Sequence, residues 1–125
     1  MASILIVDDD PAVLRVLTRI LEADGHRVQA AGSKTAALEQ LADDPPFDLF
    51  VLDFWIGPDN GLELMGLLQQ LQPGTPVLFL SGGNDSITLE ATTALAEMQG
   101  AAEFLYKPVQ ADTLRAAVMR NLRKR

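Results

Sequence analysis

The chain contains no cysteine and a single histidine, His26. The first absence removes disulfides, zinc thiolate sites and cysteine nucleophiles together. The second leaves little room for histidine-ligated metals or a Ser-His-Asp triad. Aromatic residues are scarce at 6%, with one tryptophan, Trp55, and one tyrosine, Tyr106. No apolar run approaches the roughly 20 residues that a membrane span needs, and no secretory signal is visible at the N-terminus, so a cytoplasmic location away from membranes is expected. Chemistry in such a chain falls to oxygen and amine groups.

What is present fits one soluble globular domain over residues 1–125, with 48% apolar and 22% charged residues. Charge is unevenly placed. All seventeen acidic residues lie at or before Asp112, whereas five of the ten basic ones (Arg115, Arg120, Arg123, Lys124, Arg125) fall in the last eleven positions. The body up to residue 114 carries a net charge of −12, which disfavours direct nucleic-acid binding. The basic tail fits the last turns of a helix, with cations at the negative end of its dipole. The other reading of it is the start of a linker to something absent from these residues.

Short apolar runs alternate with segments of helical period, the pattern of a parallel sheet with crossover helices. Ile4 to Val7 is apolar without alternation, as a strand buried on both faces requires. Asp10 offers an N-cap and Pro11 suits the first helical position, ahead of Val13, Leu14, Leu17, Ile20 and Leu21 at helical spacing up to Gly25. His26 to Ala31 forms a weaker edge strand, and Ser33 caps a helix with Ala37, Leu38 and Leu41 inward, stopped by Pro45-Pro46. Leu49 to Leu52 is the third strand, followed by a turn-rich loop over residues 57–61 and a helix with Leu62, Met65, Leu68 and Leu71 inward. Pro76 to Leu80, a helix over Ser86 to Met98, the strand Glu103 to Tyr106 and a final helix marked by Leu114, Val118 and Leu122 complete five strand-helix units. The fold expected is a three-layer α/β/α sandwich.

In open sheets of this kind ligands bind beyond the carboxyl ends of the strands. Asp8-Asp9-Asp10 follow the first strand, Asp53 the third, Ser81 the fourth, and Lys107-Pro108 the fifth. Singly, each has an ordinary explanation: a helix cap, a polar residue leaving a strand, a turn serine, a solvated lysine. Together they place ionisable or hydroxyl groups at four of five strand ends. Carboxylates gathered without histidine or cysteine make an oxygen-only site, which suits Mg²⁺, with Mn²⁺ able to substitute.

These residues, in this order, resemble the receiver domain of two-component response regulators. The resemblance runs from Ile4 to about Leu122 and is carried by ILIVDDD, VLD at Val51 to Asp53, NGLEL at Asn60 to Leu64, LS at Leu80-Ser81 and GAAEFLYKP at Gly100 to Pro108. It implies a flavodoxin-like, five-stranded parallel sheet of order 2-1-3-4-5. It also implies that Asp53 accepts a phosphoryl group from a sensor histidine kinase or a histidine phosphotransfer protein, forming an acyl phosphate. In the same reading Asp8, Asp9, Asp53 and the Trp55 backbone carbonyl hold Mg²⁺, Lys107 pairs with a phosphoryl oxygen, and the Ser81 hydroxyl binds another. Ser81 and Phe104 then act as the switch that carries the signal to a downstream protein or an output domain outside these residues. Such a domain phosphorylates and dephosphorylates itself and is not otherwise an enzyme. A monomer or a phosphorylation-dependent dimer is expected.

The chain departs from the family pattern at Gly57, where a proline is usual and Pro58 comes one position later, and at Gly82-Gly83, where alanine is commoner in the first position. Trp55 is bulky beside the acceptor, and its two readings are shielding of the phosphoryl group from water, which would slow its loss, and simple cover for exposed apolar surface. Two other readings compete. A degenerate receiver would dock partners without phosphorylation, but the Asp8, Asp9, Asp53, Lys107 set is intact. An FMN-binding flavodoxin needs a Ser-, Thr- or Gly-rich phosphate loop where this chain has three aspartates, and a colourless protein would dispose of it.

Overall fold

A computed structural model describes residues 2–43, 46–56, 59–82, 94, 96–97 and 99–123 of the chain. Five parallel strands form the sheet: β1 (Ser3–Val7), β2 (Arg27–Ala31), β3 (Leu49–Asp53), β6 (Val77–Ser81) and β7 (Glu103–Tyr106), in the order β2-β1-β3-β6-β7. This is the 2-1-3-4-5 order once a separate two-stranded ladder, β4 (Trp55–Ile56) with β5 (Asp59–Asn60), is set aside. That ladder corrects the loop expected over residues 57–61. Two-residue strands are too short for any hydrophobic period to announce them, while the glycine and proline between them announce only a turn. Gly57, Pro58, Gly83, Pro45 and most of the helix expected over Ser86 to Met98 lie outside the described residues.

The unbroken apolar runs become strands because both faces of the sheet are covered. Ile4, Leu5, Ile6 and Val7 are all fully buried, and so are Leu49 to Leu52. Alternate residues divide between two cores. Leu5, Val7, Phe50, Leu52, Val77 and Phe79 join one core with α2 (Lys34–Asp43) and α3 (Gly61–Leu71). Ile4, Ile6, Leu49, Val51, Leu78 and Leu80 join the other with α1 (Pro11–Ala23) and α4 (Ala111–Arg123). Each fully buried aliphatic or aromatic side chain is worth about 1.5–3 kcal/mol against leaving it in water.

Punctuation follows the sequence closely at α1 and α2. The Asp10 carboxylate accepts from the Ala12 N–H at 2.9 Å and the Ser33 hydroxyl from the Ala36 N–H at 3.1 Å, each satisfying an otherwise orphaned donor of a first turn. The end of α1 is a Schellman motif. Gly25, at φ +87°, donates to Glu22 O at 2.9 Å while His26 donates to Leu21 O at 3.2 Å.

Leu71 departs from expectation, being 61% exposed at the last position of α3. The inward stripe is Gly61, Leu64, Met65 and Leu68, and beyond it the chain turns a polar side chain inward. Gln72 Oε1 accepts from the Phe47 N–H at 2.9 Å, and its Nε2 donates to the Phe47 carbonyl and the Thr75 hydroxyl. No helix among the described residues is long and apolar enough to cross a membrane.

Candidate functional site

The parallel strands deliver their carboxyl-terminal ends to one rim, and the acidic residues collect there. Asp8, Asp9 and Asp53 each offer a carboxylate oxygen, and these atoms all lie within 4.8 Å of one another. Asp8 is 1% exposed and Asp53 6%, whereas Asp9 is open to solvent. Local bonding fixes the first of them: Asp8 Oδ1 accepts from the Asp10 N–H at 2.9 Å, and the Asp8 N–H donates to the Ala31 carbonyl at 3.1 Å. Asp10 is spent on the helix cap, as its position suggests.

Lys107 supplies the cation. Its Nζ lies 2.8 Å from Asp8 Oδ2 and 3.3 Å from Asp53 Oδ1. The strand β7 aims it inward, because the Lys107 N–H still donates to the Ser81 carbonyl at 2.9 Å and so extends the β6–β7 pairing past its last register pair, Ser81 with Tyr106. Burial pushes the Asp53 carboxyl up to about 6, reinforced by the charge of Asp8 and opposed by Lys107. For Lys107, burial works against the ammonium, yet the hydrogen bond to Asp8 and the charges of Asp53 and Asp8 prevail and raise its affinity for the proton.

The remaining sequence-derived residues border this centre. Ser81 is fully buried at the end of β6. Trp55 is half-buried, with its ring edge-on to Phe54 at 5.0 Å. The Gly61 N–H donates to the Phe54 carbonyl at 2.6 Å, which makes Trp55 and Asn60 the non-hydrogen-bonded pair of their ladder and leaves the Trp55 carbonyl out of it. Phe104 is half-buried, its ring 6.1 Å from both Phe54 and Phe79 and 5.5 Å from Tyr106.

Two participants escaped the sequence reading. Gly61 is one: a Cβ there would stand 2.8 Å from the Asp53 carbonyl oxygen and 2.6 Å from the Phe79 ring, so only glycine lets α3 start this close to β3. The other is an apolar groove of about 450 Å³ lined by Ala12, Val13, Val16, Pro108 and Val109, with Lys107 on its wall. The exposed valine at position 16 in an otherwise amphipathic helix was its only sequence signal. The donor set is all oxygen, two of its three carboxylates are withdrawn from water, and it sits where a hard divalent cation would replace the partial compensation by Lys107. The residues therefore fit Mg²⁺.

A family model described as the response regulator receiver domain matches residues 4–119. The alginate biosynthesis transcriptional regulatory protein AlgB of Pseudomonas aeruginosa is 36% identical over 123 residues, covering 98% of this chain and 26% of AlgB, so the chain spans about a quarter of that relative. A response regulator receiver domain protein from Clostridium thermocellum superposes with a TM-score of 0.89 at 28% identity, covering 99% of this chain and 96% of the other. A response regulator protein from Burkholderia pseudomallei, solved with a phosphorylated aspartic acid, a calcium ion and citrate, does so with a TM-score of 0.83 at 32% identity, over 99% of this chain and 70% of that one. The strand order, the acidic rim and the sequence match agree, and the chain belongs to the response regulator receiver domain family.

Proposed function

We propose that this domain accepts a phosphoryl group on Asp53 from a phosphohistidine of a sensor kinase or phosphotransfer protein, and passes the change to a downstream protein or output domain. The observation that carries this reading is the trio Asp8, Asp9 and Asp53 gathered within 4.8 Å with Lys107 bridging two of them. An Asp53 carboxylate oxygen forms the new bond to phosphorus as the imidazole nitrogen–phosphorus bond breaks, and the imidazole leaves with its electron pair. Phosphoryl transfer asks mainly for positioning and charge neutralisation, so the absence of an acid-base histidine is no obstacle.

Asp8, Asp9, Asp53 and the Trp55 carbonyl are the groups that would hold Mg²⁺, which when bound neutralises charge on the transferred oxygens. Lys107 is already within reach of Asp53 and takes a phosphoryl oxygen. The Ser81 hydroxyl takes another, and Phe104 follows the inward movement. Trp55 covers the flank of Phe54 and slows access of water to the acyl phosphate. The domain's only chemistry is on itself, and a cytoplasmic setting follows from that partnership. The Burkholderia relative, solved with a phosphorylated aspartic acid and a calcium ion, supports the same assignment.

The apolar groove adjoins the site through Lys107, so a helix presenting the donor histidine can seat its apolar side between α1 and the Pro108–Val109 segment. Incubation with Mg²⁺ and acetyl phosphate, followed by intact-mass measurement, tests the reading. One added phosphoryl group that disappears in Asp53→Asn is expected. No mass gain, together with unchanged Trp55 fluorescence on adding Mg²⁺ and beryllofluoride, returns the chain to a docking module that works without phosphorylation.

A further inference from the structure

Three buried side-chain polar atoms among the described residues lack a hydrogen-bond partner, and two of them lie on α4: Arg115 Nε and Asn121 Oδ1. Asn121 is 1% exposed. Its Nδ2 donates to Glu103 Oε2 at 2.7 Å and to the Ala117 carbonyl at 2.8 Å. Both of those neighbours can only accept, so the amide cannot turn over, and the oxygen is the atom left facing no donor. Arg115 Nε lies 3.4 Å from Asp24 Oδ1, near enough to pair as ions but without a hydrogen bond. Unmade interior hydrogen bonds are costly, so the helix rests in a seat that its own polar groups do not fully favour.

Glu103 is what grips it there. Its carboxylate takes Arg120 with both oxygens, Oε1 to Nη2 at 2.8 Å and Oε2 to Nε at 3.2 Å, and Oε2 also holds Asn121. Glu103 opens β7, and the next residue is Phe104. Successive strand residues face opposite sides of a sheet. Phe104 therefore packs with Phe54, next to the acceptor, on one side, while Glu103 meets α4 on the other. The two residues are adjacent on one strand, so a displacement of that backbone on the Phe104 side reaches Glu103 directly.

We propose that Glu103 is the joint between the Asp53 site and α4, holding the helix in one of two seats through Arg120 and Asn121. This rests on the phosphoacceptor reading of Asp53. When the site fills and Phe104 moves, the grip of Glu103 loosens and α4 shifts to a seat in which Arg115 closes on Asp24.

Amide hydrogen exchange over residues 111–123, with and without Mg²⁺ and beryllofluoride, reads the joint, while Trp55 fluorescence in the same samples reads site occupancy. In the wild type both respond. In Glu103→Gln the resting exchange of α4 already matches the activated level and the ligand-induced change is lost, with the Trp55 response and the rate of phosphorylation by acetyl phosphate retained. Arg120→Ala, a change at a half-exposed side chain, gives the same result and serves if the Glu103 variant does not fold. A ligand-induced change in α4 of wild-type size in both variants overturns the proposal, as does a wild-type α4 that stays unchanged while Trp55 responds. Silence from Trp55 in the wild type marks failure of the phosphoacceptor reading instead, and the joint falls with it because nothing drives it.

Discussion

Lys107 is bonded more closely to Asp8 than to Asp53, at 2.8 Å against 3.3 Å. The ammonium is thus spent first on Asp8, and Asp53 is left only partly compensated although it is buried. Burial pushes the Asp53 carboxyl up to about 6, the charge of Asp8 adds to the rise, and Lys107 offsets it only in part.

A stability profile follows from it. The folded Asp53 holds its proton up to about pH 6, while the unfolded chain releases it near the ordinary aspartate value of 3.8. Between these the folded state binds more protons, so stability falls as pH rises through that window and stays lower above it. Asp53→Asn, assayed by urea unfolding in chelator, should gain about 1–3 kcal/mol at pH 7 and nothing below about pH 4. Equal stabilities of the two proteins at pH 7 would contradict the electrostatic account.

Mg²⁺ should offset the same penalty. At free Mg²⁺ about 100-fold above its dissociation constant, binding to the folded state alone adds roughly 2.7 kcal/mol. Because the carboxylates must be ionised to bind, the rise in melting temperature is larger at pH 8 than at pH 5. A thermal scan that is indifferent to chelation at pH 8 would mean that the acidic cluster does not hold the ion.

Gly61→Ala forces a methyl group against the Asp53 carbonyl, and backbone cannot step aside as a flexible side chain can. A loss of about 1–3 kcal/mol is expected from overpacking, with slower phosphorylation by acetyl phosphate because the acceptor strand must move. Wild-type stability in a denaturant titration would show that the helix start has more give than the geometry allows.

Val16→Glu tests the groove. The side chain is 57% exposed, so stability should change by no more than about 0.5 kcal/mol. Transfer from a cognate phosphohistidine partner should slow by at least about tenfold, equivalent to roughly 1.4 kcal/mol of docking. Phosphorylation by acetyl phosphate should be untouched. Equal slowing with both donors would place the effect in the chemistry and remove the groove from recognition.

Much of this architecture was legible in the chain because the physics is local. Unalternating runs such as Ile4–Val7 have no other good use than a doubly covered strand, and Asp10 and Ser33 cap the helices they precede. The acidic rim could be assembled from strand ends alone. What escaped depends on partners far away in sequence. Leu71 obeys the helical period yet faces water, because Gln72 finds Phe47 and Thr75 instead. Asn121 continues the buried stripe of Leu114, Ala117 and Val118, but a polar residue in a basic helix gives no hint that a glutamate on a strand awaits it. Gly61 is recognisable only once the Asp53 carbonyl is in place.

Lys107 has a double address, its ammonium among the carboxylates and its side chain along the groove wall. In the docking proposed above, a change at that position alters recognition and reactivity at once. Changes at groove residues away from the carboxylates, such as Ala12, Val16 and Val109, then reach the handshake and leave the reaction alone.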